Sequence, residues 1–329
     1  MTAQHRKTAV LRLLGIAPVL LLVALLVVFG LIDGRVVDPD NLRNVAVQAA
    51  PIALLALGAH VVLLSGGIDL SAGFAVGLCA VVIAQRLTGG DGLLVALLVG
   101  LAVALAVGAV NGLLVGYAKL PPFVATLATM VMVQGATLKL ATSGVLLTND
   151  PTLRTLGVER VGPIPVAVVA TAVVGALMWA AMRGTRFGIR TGAIGSDADA
   201  ARFSGVDLRR QQLLIYVVSA LMVLACAVLV VSRTPVVTPN VGGVSLLLDA
   251  IAAAVIGGTS IFGGRGTVGG VLVGALIIAL VTNALRVFGV DPSSLDLYKG
   301  TIIVIALLLD AAIRIARSRV AAGVAGAPR

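Results

Sequence analysis

Gly195-Ser196-Asp197-Ala198-Asp199-Ala200-Ala201-Arg202-Phe203-Ser204-Gly205-Val206 is a polar, helix-coded stretch set between apolar segments. Ser196 is placed to cap a short helix, Asp197 and Asp199 put negative charge at its positive end, and Gly205 supplies a left-handed residue to stop it. The predicted helix has about two turns. So short a helix is marginal alone in water, so it is expected to pack on its own chain and dock against another protein.

Around this stretch the chain of 329 residues is 59% hydrophobic and 12% charged, with a mean hydropathy of +1.12. A soluble domain cannot hide so much apolar surface in a core. Segments of roughly 18 to 22 apolar residues recur, each long enough to cross about 30 Å of hydrocarbon as a helix. The sequence predicts about ten of them. They run Leu13 to Ile32, Val45 to Leu64, Ser71 to Leu87, Leu93 to Tyr117, Phe123 to Ala141, Pro165 to Met182, Leu213 to Ser232, Leu246 to Phe262, Val268 to Phe288 and Tyr298 to Ile315. The third is short and admits a re-entrant or broken form. The expected fold class is an all-α polytopic membrane protein with about ten transmembrane helices. No composition shift separates soluble domains, so residues 1–329 read as a single membrane-spanning domain, with 183–212 as its main cytoplasmic loop.

A formal charge of +10 would suggest nucleic acid in a soluble protein, but here the Lys and Arg distribution orients the chain. With the N-terminus inside, ten spans put Arg183, Arg186, Arg190, Arg202, Arg209, Arg210, Arg265 and the basic residues of both termini on the cytoplasmic side. Fewer, including Arg35, Arg43, Arg154, Arg160 and Arg233, fall outside. Both termini are expected inside, and no nucleic-acid partner is expected. His5, Arg6 and Lys7 precede a run of span length with no convincing cleavage site, which reads as an uncleaved first helix. Cys79 and Cys226 lie in apolar segments, which argues for packing rather than a disulfide or metal site.

In Ser65-Gly66-Gly67-Ile68-Asp69-Leu70-Ser71-Ala72-Gly73 a carboxylate interrupts two apolar segments. Gly66 and Gly67 read as breaking one helix, and Asp69 or Ser71 as capping the next. The same break can also form part of a translocation path, as unwound helices do in transporters, and both readings can hold. Asn111 lies near the end of the fourth span, and Pro121-Pro122 opens the fifth. Thr126 and Thr129 then share a face, where they bond a neighbouring helix or line a polar path. His60, inside the second span, fits a hydrogen-bonded structural role better than a proton relay. Asp249 reads as lying near a span end, and Asp310 and Arg314 can pair across one turn. A nucleotide-binding G-x-x-x-x-G-K-[ST] loop, an H-E-x-x-H pattern and a G-x-S-x-G elbow do not occur. Energy for uphill transport would have to come from a partner or an ion gradient.

Taken together, four stretches resemble the membrane permease subunits of bacterial ABC importers of the ribose type. They are Gly66 to Gly73, Asn111 to Met130, Gly195 to Val206, and Leu248 to Thr267. The resemblance implies the ABC importer permease fold in the bacterial inner membrane and a pathway for a monosaccharide or related small polar solute. It implies a second permease subunit, identical or paralogous, two cytoplasmic ATPase subunits and an external solute-binding protein. No cofactor is expected on this chain itself; ATP and Mg would be bound by the ATPase. The loop helix carrying Ser196, Asp197, Asp199, Ala201, Arg202 and Gly205 corresponds to the ATPase-coupling element. The family commonly has glutamate near the start of that helix, where this chain has the shorter Asp197 and Asp199. Gly66, Gly67, Asp69, Ser71, Asn111, Thr126 and Thr129 are the candidates for the pathway or its helix break. The competing readings are an ion-coupled secondary transporter, and an ABC permease for nucleosides or branched-chain amino acids.

Overall fold

The computed structural model describes residues 3–141, 144, 146–148, 150–301, 304 and 305, with side chains from residue 17 onward. Twelve α-helices are assigned: α1 (Ala3–Ile32), α2 (Pro39–Leu64), α3 (Ala72–Thr88), α4 (Leu93–Gly116), α5 (Pro122–Leu140), α6 (Pro151–Val158), α7 (Val166–Gly184), α8 (Arg186–Ser196), α9 (Ala198–Phe203), α10 (Leu208–Arg233), α11 (Gly243–Ile256) and α12 (Val268–Val287). Residues 295–301 are also helical. Among the described residues six helices are long and apolar enough to cross a membrane: α2, α4, α5, α7, α10 and α12. Three shorter apolar helices accompany them, Ala17–Ile32, Ala72–Thr88 and Gly243–Ile256. The expected span Tyr298 to Ile315 and the Asp310–Arg314 pair lie mostly or wholly outside the described residues.

The core forms around α2, which is buried continuously from Ala49 to Leu64. A helix apolar on every side is one surrounded by other helices rather than by lipid. On α4 a stripe of small residues, Ala96, Gly100, Ala104, Gly108 and Gly112, is buried, while Leu94, Leu98, Val110 and Leu113 face outward. Small residues let backbones approach where lipid supplies no hydrophobic drive between helices. A methyl at Gly108 would lie 2.6 Å from the Ala220 side chain, and one at Gly112 would lie 2.8 Å from Leu213. Rising numbers on α4 therefore meet falling numbers on α10, so the two run antiparallel. The α11–α12 pair does the same, with Gly274 against Ala253 and Gly270 against Gly257.

One end of the bundle carries two small antiparallel strand pairings. Leu146-Leu147 (β1) pairs antiparallel with Val236-Val237 (β4), and Arg160-Val161 (β2) with Ile164-Pro165 (β3). At the opposite end, the C-terminus of α2, the α8–α9 loop and the 257–267 turn meet. The Gly264 amide donates to the Leu64 carbonyl at 2.9 Å.

Three sequence expectations need correction. The loop 183–212 contains a helix, α8, that was not foreseen, because Gly188, Gly192 and Gly195 depress its local propensity. It is held instead by tertiary bonds, the Gln211 amide donating to the Phe187 carbonyl at 3.0 Å and to Thr191 Oγ1 at 2.9 Å. The span expected at Leu246 to Phe262 is a 14-residue helix ending at Ile256, so Asp249 sits in its middle and not near its end. Ser196 does not cap α9; it ends α8 and donates its hydroxyl to the Gly192 carbonyl, leaving Asp197 Oδ1 to accept from the Ala200 amide at 2.9 Å.

Candidate functional site

The break between α2 and α3 is built from residues 65–71. Gly66 adopts φ +82, and the Gly66 and Gly67 amides donate back to the carbonyls of Leu63 and Val62 at 2.9 and 3.1 Å. That is a glycine stop closing the last turn of α2. Asp69 then shapes the re-entry: its Oδ1 accepts from the Ser71 amide at 2.9 Å and the Ser71 hydroxyl at 2.6 Å. Ser71 occupies the cap position of α3 without bonding the helix amides. Of the two residues expected to cap, Asp69 therefore organises the turn and Ser71 is organised by it.

Neighbouring helices hold this turn from the side. Asn111 Nδ2 donates to Ser71 Oγ at 2.8 Å. Thr126 Oγ1 accepts from the Leu70 amide at 3.2 Å and lies 3.0 Å from the Ile68 carbonyl. Thr129, on the same face and also buried, among the described residues donates only to the Ala125 carbonyl of its own helix, at 3.1 Å. Sequence placed the two threonines together, but only Thr126 reaches the break. Replacing Thr126 with valine leaves the Leu70 amide without its acceptor and is expected to lower stability by about 1–3 kcal/mol. Thermal unfolding of the detergent-solubilised protein reads that loss, and Thr129→Val should cost less.

The far side of the break meets the loop stretch. The carbon of a methyl at Gly195 would fall 1.8 Å from the Leu64 carbonyl oxygen and 2.6 Å from the Gly264 amide, so three chain segments touch backbone to backbone there. His60 Nδ1 lies 2.8 Å from Thr259 Oγ1, both side chains buried, which ties α2 to the 257–267 turn. Thus Gly66 to Gly73, Asn111 to Met130, Gly195 to Val206 and the Leu248 to Thr267 stretch, remote in sequence, form one contiguous region.

Beyond Gly195 the loop turns outward into α9, a six-residue helix. Ala201 packs inward, whereas Asp199 and Arg202 pair on the surface at 2.9 Å. Gly205 has φ +83 and ends the helix, the Gly205 amide bonding the Arg202 carbonyl. Two aromatic rings project here almost fully exposed, Phe203 at 86% and Phe262 at 93%. Neither was singled out from sequence, where Phe203 follows Arg202 in the polar loop and Phe262 stands in a glycine-rich turn.

A second polar feature was also missed. Lys299 Nζ lies 2.8 Å from Asp249 and 3.0 Å from Asp296, with the Lys299 and Asp249 side chains only 11% and 12% exposed. Asp249 is a lone charge in an apolar run, and such a charge seeks an opposite one inside a membrane.

A bundle of buried apolar helices, one of them broken by glycines around a carboxylate, defines a multi-pass membrane transport protein. Residues 41–308 match the family described as branched-chain amino acid transport system / permease component, and the chain belongs to it. Similar chains include the ribose import permease protein RbsC of Bacillus subtilis, 38% identical over 300 residues, covering 90% of this chain and 92% of that one. The ribose import permease protein RbsC of Escherichia coli K12 is 32% identical over 298 residues, covering 88% and 92%. The galactose/methyl galactoside import permease protein MglC of Haemophilus influenzae is 32% identical over 308 residues, covering 87% and 91%. No solved structure shows a significant match to the chain.

Proposed function

We propose that this chain is the permease subunit of an ATP-driven importer and carries a monosaccharide across the bacterial inner membrane. The observation that carries this reading is similarity over nine-tenths of the chain to a permease named for ribose import. The family's description names branched-chain amino acids, but the relatives cited above are named for ribose and galactose.

In this reading the chain crosses the membrane several times, both termini are cytoplasmic, and the α9 end of the bundle faces the cytoplasm. Two copies of the chain, or this chain and a paralogue, form the pathway. ATP and Mg are bound by the ATPase subunits, and an external binding protein delivers the solute. The exposed Phe203 on α9, held against the bundle by Ala201, supports docking on the ATPase, because an aromatic ring at such exposure gains most by being covered. The backbone junction of Gly195, Leu64 and Gly264 then links that docking site to the break before α3. Closure of the ATPase shifts the bundle between two arrangements to the extent that it binds them differently.

The test is purification of the tagged chain from its host in mild detergent, followed by uptake in proteoliposomes. A stoichiometric P-loop ATPase and ATP-dependent uptake of D-ribose or D-galactose are the expected results. Transport by the chain alone on a sodium or proton gradient would instead establish a secondary transporter. Gly205→Val forces a β-branched residue into φ +83. It is expected to lower ATP-driven uptake about tenfold while the bundle stays folded, since no other atom lies within 4 Å of the added carbon. Unchanged uptake by this variant would remove α9 from the coupling path.

A further inference from the structure

A cavity of about 310 Å³ opens between α3, α5 and the segment leading into α11. That volume is at the small end of the ~300–1,000 Å³ range of small-molecule sites. Phe74 supplies an aromatic wall, Gln134 and Asn240 supply amides, and Thr137 and Ser245 supply hydroxyls. The wall is seated firmly, because a methyl carbon at Gly73 would lie only 2.4 Å from the Gly243 carbonyl oxygen. Thr137 donates to the Val133 carbonyl, and Ser245 Oγ lies 3.5 Å from Lys299 Nζ. Gln134 and Asn240 are both exposed and, among the described residues, their amides have no hydrogen-bond partner; Gln134 does so well inside an apolar span. Polar groups at membrane depth face water, protein or solute rather than lipid.

We propose that this cavity is a solute subsite that takes a neutral polyhydroxylated ring. Each amide offers both a donor and an acceptor, which matches a hydroxyl that both donates and accepts. The Phe74 ring suits the apolar C–H face of a sugar. No charged side chain lines the cavity. A zwitterionic amino acid would therefore bring two charges with no counter-charge, an arrangement far costlier than burying hydroxyls that are hydrogen-bonded. Lys299, behind Ser245, is held by Asp249 and Asp296. The subsite rests on the sugar-permease reading and adds to it the residues that touch the solute.

The experiment uses the complete transporter, the chain with its ATPase and binding protein, and radiolabelled D-ribose and L-leucine as probes. Wild type is compared with Gln134→Leu and Asn240→Leu. The expected result is ATP-dependent uptake of D-ribose but not L-leucine, reduced about tenfold or more in each variant. Membrane content and ATP hydrolysis should stay within about twofold of wild type, because neither amide bonds another element of the chain. Wild-type uptake of L-leucine in place of sugar, or no ATP-dependent uptake, overturns the sugar-permease reading. D-ribose uptake undiminished by both substitutions overturns the subsite alone. Should the leucine variants fail to reach the membrane, Asn240→Cys serves in their place, since Cys79 and Cys226 are buried and silent to reagent. Labelling by a water-soluble thiol reagent that D-ribose slows supports the subsite. In a complex that carries D-ribose, labelling indifferent to it, or disulfide-linked dimers of the variant in place of labelling, overturns the subsite.

Discussion

Gly195→Ala is expected to abolish ATP-driven uptake, lowering it by more than about tenfold, whereas Gly192→Ala three residues earlier on the same helix should be nearly silent. The carbon added at Gly195 would fall 1.8 Å from the Leu64 carbonyl oxygen, 2.6 Å from the Gly264 amide and 2.9 Å from the Leu64 carbonyl carbon. All three contacts are backbone, so no side-chain rotation relieves them, and α8 must separate from the end of α2 and from the 257–267 turn. The Gly264 to Leu64 hydrogen bond lies at that junction and would be broken or lengthened. At Gly192 the added carbon meets nothing within 4 Å and the backbone is ordinary helix. Alanine there should even favour the helix slightly, by up to about 1 kcal/mol. Uptake, ATPase co-purification and thermal unfolding measured on both variants give the comparison. Full uptake by Gly195→Ala would show that α9 does not act through this junction.

Breaking the Asp249–Lys299 pair should have the largest effect on stability. Removing one partner of a buried ion pair strands the other charge, at a typical cost of about 3–5 kcal/mol. Asp249→Asn and Lys299→Met each do this, and the second leaves Asp249 buried on α11 with no cation. The outer carboxylate of Asp296, 75% exposed, contributes little beyond solvent screening. The double variant Asp249→Leu/Lys299→Leu removes both charges and should recover most of the loss, because a well-packed apolar pair replaces an ionic one at little net cost. Denaturant or thermal unfolding in detergent of the singles and the double measures the coupling. A loss in the double equal to the sum of the losses in the singles would mean that the two charges do not interact across α11 and the helix at 295–301.

The helices were legible wherever an apolar run was long and uniform, as in α4, α10 and α12, because a segment that spans lipid must satisfy its own backbone. The glycine stops were legible too: Gly66 and Gly205 both take positive φ, which their neighbours' patterns required. Helix α8 was not, since its three glycines argue against a helix and Gln211, far along the chain on α10, supplies bonds that hold it. Ser196 and Asp197 are comparable capping residues in isolation. The choice of Asp197 followed from where α8 ends.

Within the candidate site, sequence marked the residues but not their partners. That Asp69 and Ser71 lie at a helix break follows from their position between two apolar runs. That Asn111 bonds Ser71, that Thr126 and not Thr129 reaches the turn, and that His60 meets Thr259 depend on how α4, α5 and the 257–267 turn are placed against α2. Lys299 finds Asp249 across 50 residues for the same reason.

By itself, the sequence determined that this chain lives in a membrane, where its long apolar helices run, and where glycine must interrupt them. These are local properties, set by transfer of side chains into hydrocarbon and by the backbone conformations each residue allows. Only the tertiary structure decided which polar atoms meet, why Gly195 admits no side chain, and that Gln134 and Asn240 face one cavity. Those facts follow from close approach between helices far apart in sequence, and period and composition along one segment carry no information about the neighbour it will touch.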